Sequence, residues 1–107
     1  MTVQARGDGE LRFAKISLTA TGDLVAADAK RKIRVLSYML VCSAALTVNF
    51  ESATTDISGP MELAANGGVS FGGSLGGPAF ETARGEKLAL TIAGSGNVRG
   101  HLCYVLV

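Results

Sequence analysis

The stretch Lys32–Glu51, KIRVLSYMLVCSAALTVNFE, constrains the fold of this chain more than any other. Its first half, Ile33–Cys42, is rich in Val, Leu, Ile and Tyr and reads as a strand that is apolar on both faces. Side chains alternate along a strand. Ile33, Val35, Met39 and Val41 are therefore expected to point one way and Leu36, Tyr38, Leu40 and Cys42 the other. Such a strand needs cover on both sides. The second half reads as a one-sided strand, with Leu46, Val48 and Phe50 inward and Thr47, Asn49 and Glu51 toward solvent. Ser43-Ala44-Ala45 joins the two. Hairpin pairing is the expectation, although the joint lacks the Asn-Gly or Asp-Gly dipeptide of a two-residue turn.

Around this pair the chain breaks into short apolar segments. Leu11–Ala20 reads as a strand whose apolar phase changes between Phe13 and Ile16, which suggests a bulge or a switch of faces. Thr21-Gly22-Asp23 signals a turn, Leu24–Ala29 is a short strand or loop, and Asp28–Lys32 is a charged connection. After the polar turn Ser52–Asp56, Ile57–Ala65 is ambiguous. Pro60 could open one helical turn, but extended structure suits the setting better. Asn66–Pro78 holds six glycines. It lacks the Lys-Ser/Thr ending and following helix of a phosphate loop. It reads as a surface loop with one short strand, whose Val69, Phe71 and Leu75 are contact points or tuck back on the core.

Phe80–Ala83 is a short strand and Arg84-Gly85-Glu86 a turn. Lys87–Ala93 alternates, with Leu88, Leu90 and Ile92 inward, and Gly94-Ser95-Gly96-Asn97 reads as a hairpin loop. In the last strand, Leu102, Tyr104 and Leu106 share one face and His101, Cys103, Val105 and Val107 the other. A strand this apolar belongs in the middle of a sheet or against a partner. The pattern is that of an all-β chain: a single-domain β-sandwich or jelly roll of about eight antiparallel strands. It spans residues 11–107, behind a polar N-terminal arm at residues 1–10. A length of 107 residues suits one domain.

Composition bears on partners. Apolar residues make up 48% and charged ones 18%, so either a partner covers some apolar surface or Ala and Gly inflate the count. A net charge of +1 is too small for a dedicated nucleic-acid binder. Charge is uneven, however. Residues 1–34 carry seven Lys/Arg against four Asp/Glu, and the remainder three against five. The basic first third, Arg6, Arg12, Lys15, Lys30, Arg31, Lys32 and Arg34, is a solvated face or a docking surface for something acidic. The N-terminus has no hydrophobic signal region. The apolar run Val35–Val48 is too short and too interrupted to span a bilayer, so no membrane partner is expected.

Cys42 and Cys103, both in apolar strands, are expected to be buried free thiols. Arg6-Gly7-Asp8 is an integrin-type tripeptide that short chains match by chance. His101 has no Cys, Asp or Glu at ligand spacing, whereas a metal needs three or four ligands. No Ser-His-acid set can be placed, and no two acids form an acid/base couple. Aromatic residues are too few to stack on bases or sugars. The reading is therefore of a chain that is not an enzyme and carries no cofactor, metal or nucleic acid.

Four stretches resemble a group of small tailed-bacteriophage virion proteins: KIRVLSY at Lys32–Tyr38, GPMELAANGG at Gly59–Gly68, FETARGEKLAL at Phe80–Leu90 and GHLCYV at Gly100–Val105. The resemblance covers about the last three-quarters of the chain and rests on structural rather than catalytic motifs. It implies a β-sandwich or jelly-roll module of the virion. A head decoration (cement) protein comes first, synthesised in the host cytoplasm, placed on the capsid surface and assembled as a homo-oligomer, typically a trimer, that binds the major capsid protein. The alternative is a tail- or fibre-associated domain that binds a host receptor or glycan. On the first reading Arg6, Arg12, Lys30, Arg31 and Lys32 would meet the capsid, and Phe71, Leu75 and Tyr104 would make oligomer or capsid contacts.

Overall fold

The computed structural model describes residues 10–72 and 78–107. These form ten strands and no helix: β1 (Arg12–Leu18), β2 (Gly22–Val25), β3 (Ile33–Cys42), β4 (Leu46–Ser52), β5 (Thr55–Asp56), β6 (Met61–Leu63), β7 (Gly68–Phe71), β8 (Phe80–Glu81), β9 (Leu88–Ala93) and β10 (Val98–Leu106). All pairings are antiparallel. The count exceeds the expected eight in part because β5 is a two-residue piece within the stretch read as a polar turn; β8 falls in the expected strand Phe80–Ala83.

Two five-stranded sheets pack into a β-sandwich. The front sheet runs β1-β10-β3-β7, with β8 also on β3; the back sheet runs β2-β9-β4-β5, with β6 also on β4. The long strands β3 and β4 each give successive halves of one edge to two short strands. β7 pairs with Tyr38–Val41 and β8 with Arg34 and Val35; β6 pairs with Leu46–Val48 and β5 with Glu51 and Ser52. As the apolar pattern of the last strand demands, β10 lies between β1 and β3.

The core is the inward row of each long strand. Ile33, Val35, Leu40, Val48, Phe50, Leu88, Leu90, Val98 and Leu102 are all fully buried. Tyr38, Phe50, Phe71 and Phe80 form an aromatic group beside it, with ring centroids 4.7 Å apart for Phe50–Phe80 and 4.9 Å for Tyr38–Phe50. Burial raises the Tyr38 phenol above its usual range. Its hydroxyl meets the Met61 thioether at 3.9 Å.

Several expectations are corrected. β3 and β4 do not form a hairpin: they belong to different sheets, and Ser43-Ala44-Ala45 carries the chain across the sandwich. Gly94–Asn97 does the same between β9 and β10. These two arches lie against each other, with Ser43 N donating to Asn97 O at 3.0 Å and Asn97 N to Ser43 Oγ at 2.8 Å. Turn residues mark a reversal but not whether the strands beyond it pair or separate.

The faces of β3 also differ from strict alternation. Cys103 pairs with Ser37 but Tyr104 pairs with Val35, so Leu36 is an extra residue in a β-bulge. Ile33 and Val35 face the core before the bulge; Tyr38, Leu40 and Cys42 face it afterwards. Leu36, Met39 and Val41 are left outside. In β1 there is no bulge. Its register with β10 runs unbroken from Arg12↔Tyr104 to Leu18↔Val98, and the apparent phase change arises because Phe13 is an exposed apolar residue.

Candidate docking face

Four large hydrophobic residues are exposed among those described: Phe13 (71%), Leu11 (51%), Val41 (45%) and Met39 (39%). All four lie on the outer side of the front sheet. In β1 the inward row is Ala14, Ile16 and Leu18, which leaves Phe13, Lys15 and Ser17 outside, and Leu11 continues that row past the strand. In β10 the outward row is Arg99, His101, Cys103 and Val105. β3 adds Leu36, Met39 and Val41.

The register fixes the neighbours across the face. Ser17, Arg99 and Val41 make one row, Lys15, His101 and Met39 the next, and Phe13, Cys103 and Ser37 the third. Cations interleave with apolar groups, and neither Lys15 nor Arg99 has an acid partner among the described residues. At the end of the face Arg34 Nε donates to Glu81 Oε2 at 2.7 Å, and Lys32 Nζ lies 3.5 Å from Oε1. Burial would raise the Glu81 carboxyl, but the hydrogen bond from Arg34 and the two cations outweigh it and hold the group below its usual range.

The back sheet presents a different surface. Its outward positions include Thr47, Asn49, Glu51, Asp56, Glu62, Thr91 and Asp23. Asn49 donates to Asp56 at 2.8 Å, and Lys87 pairs with Asp23 at 2.8 Å. One side of the molecule is therefore apolar and basic, the other polar and acidic.

The residues singled out from sequence are dispersed. Arg6 and Leu75 lie outside the described residues. Lys30 and Arg31 form the turn into β3, with Lys30 N donating to Asp28 Oδ1 at 2.9 Å and Arg84 donating to Lys30 O at 2.7 Å. Lys32 exchanges backbone hydrogen bonds with Val107 at 2.8 and 2.9 Å, and Arg12 faces Glu10 at 3.8 Å. All four occupy the same end of the front sheet. Phe71 turns inward and stacks on Tyr38, with centroids 6.2 Å apart, and Tyr104 packs against the core. The exposed hydrophobic residues of this face are instead Phe13, Met39 and Val41, on the two strands that flank β10. For Met39 and Val41 the legible signal was the apolar outer row of β3, which demanded cover that the described residues do not supply.

The two thiols behave differently. Cys42 is buried, with its sulfur 3.2 Å from Ala64 O and 3.4 Å from Gly67 O. Cys103 is only half-buried, which corrects the expectation for it, because it lies on the outer face of β10 opposite Phe13. The two point to opposite sides of the sheet, a geometry that no disulfide between them can bridge. Among the described residues no three His, Cys, Asp or Glu converge as metal ligands. No protein-family model, curated protein or solved structure matches the chain.

Proposed function

We propose that this chain is a structural module of a tailed-phage virion: a head decoration protein that adheres through the outer face of its front sheet. The observation that carries the reading is the gathering of Phe13, Leu11, Met39 and Val41 on one sheet face, interleaved with Lys15 and Arg99. An apolar patch of this kind is the usual mark of a protein contact. Lys15 and Arg99, without an acid partner among the described residues, favour a partner whose contact surface is acidic at the rim. The turn Lys30–Lys32 offers a second basic contact at the end of the same sheet. The motif resemblance supplies the virion context, and assembly as a homo-oligomer, most simply a trimer, belongs to the same proposal.

Cementing by such a module is mass action. A protein that binds only the expanded lattice stabilises it by its binding free energy, repeated over many copies. Full burial of one exposed Phe contributes about 2–3 kcal/mol, enough to make Phe13 an anchor.

The test is cosedimentation of the purified chain with expanded heads lacking decoration. Saturable capture is expected, and Phe13→Asp and Met39→Asp each reduce it at least about ten-fold with an unchanged melting temperature. Absence of capture by wild-type protein overturns the reading. Binding to host cells or glycans instead would replace it with a tail or fibre role.

A further inference from the structure

At one corner of the docking face, beside the two arches that cross the sandwich, lies an open hollow of about 150 Å³, lined by Val41, Cys42, Ser43, Asn97 and Arg99. Each of its polar side chains can donate a hydrogen bond. The Arg99 guanidinium has no ion-pair partner among the described residues, and the Asn97 side-chain amide has no hydrogen-bond partner there. The Ser43 hydroxyl accepts from Asn97 N at 2.8 Å, which fixes its oxygen and leaves its hydrogen to donate. No carboxylate lines the hollow. Val41 forms an apolar wall, and the Cys42 thiol is turned away toward Ala64 O and Gly67 O.

Backbone geometry beside the hollow leaves room for the Ser43 hydroxyl. Gly96 has φ +152°, and a Cβ there would come 3.1 Å from Ser43 Oγ and 3.0 Å from Ala44 Cβ. A side chain at this position would press directly on the hydroxyl. The paired Ser43–Asn97 contacts make the notch a feature of the arches rather than of a loose surface.

The geometry points to a carboxylate-binding notch, in which Arg99, Asn97 and Ser43 take one acidic side chain of the docking partner beside an apolar residue seated on Val41. Guanidinium, amide and hydroxyl donors lining one hollow without a competing acid are the chemistry that selects a carboxylate. A volume several times that of one water, roughly 30 Å³, has room for the group. That the carboxylate comes from a docking partner rests on the function proposed above; the notch itself does not.

The experiment titrates isotope-labelled protein with the blocked tripeptide acetyl-Leu-Asp-Leu-amide and follows the backbone amides of Ser43, Asn97 and Arg99. A saturable shift confined to these amides is expected. Affinity should fall about ten-fold for acetyl-Leu-Asn-Leu-amide and about ten-fold for the Asp peptide on Arg99→Gln, whose melting temperature should stay at the wild-type value. No saturable shift, equal affinity for the Asn peptide, or tighter binding of inorganic phosphate than of the Asp peptide overturns the assignment. If the Asp peptide binds but wild-type protein ignores phage heads, the notch stands and the cement reading falls. If heads bind and the peptide does not, the reverse holds.

Discussion

Ser52 and Glu81 show how single polar side chains hold the short strands in place. Ser52 is 3% exposed at the end of β4, and its hydroxyl accepts from Ala83 N at 2.9 Å while donating to Glu86 at 2.6 Å. Ser52→Ala orphans a loop N–H and should destabilise the protein by about 1–3 kcal/mol in urea unfolding. Glu81 ties β8 to β3 through Arg34 and Lys32. Its carboxyl titrates below the ordinary value of 4.5 in the folded protein, so its stabilisation is complete above that value and is lost as pH falls through the lowered one. The melting-temperature gap between wild type and Glu81→Gln should be constant from pH 6 to 8 and close in acid. Neither role was legible in the sequence, because each joins residues about thirty or more positions apart. Phe13 was legible as an anomaly but misread: its break in phase marks a residue left outside the core, not a backbone irregularity.

At the scale of elements, the bulge in β3 and the close approach at Gly100 set the packing of the front sheet. Leu36 lets one strand present Val35 and Tyr38 to the same core three residues apart. Deleting Leu36 puts Val35 and Tyr38 two positions apart, where plain alternation keeps both on the core side, so the folded state should be retained by circular dichroism. Gly100 has φ +155°, and a Cβ there would lie 2.0 Å from Met39 O on the neighbouring strand. Gly100→Ala should therefore destabilise by about 3 kcal/mol or more, from strained backbone plus displaced β3. Gly59→Ala, which meets nothing within 4 Å, is the matched control and should melt within a few degrees of wild type. Strand existence and inward rows were readable from alternation in β4, β9 and β10. Pairing was not. Ser43–Ala45 and Gly94–Asn97 carry the residues of reversals, but whether a reversal closes a hairpin or an arch is decided by which sheet needs the next apolar row.

For the whole molecule, the governing property is the difference between its two outer surfaces. Lys15, Arg99 and exposed apolar groups lie in front, and Asp23, Glu51, Asp56 and Glu62 lie behind. Docking by the front should weaken several-fold as salt rises from about 0.05 to about 0.5 M, since exposed charges are screened over that range. Burial of Phe13 and Met39 leaves a salt-resistant remainder; affinity measured across a salt series separates the two. Half of this surface was visible in the sequence, as the uncovered outer row of β3. The other half was not, because Phe13, Arg99 and Met39 come onto one face only through the pairing of β1 with β10 and of β10 with β3. That pairing also carries a mechanical consequence. Arg12 lies opposite Tyr104, so β1 and β10 open toward the same end of the sandwich. Tension between these ends pulls along the interstrand hydrogen bonds one rung at a time. A load spread across the front surface must move several strands together. The molecule resists shear over its face and yields to peeling from its ends.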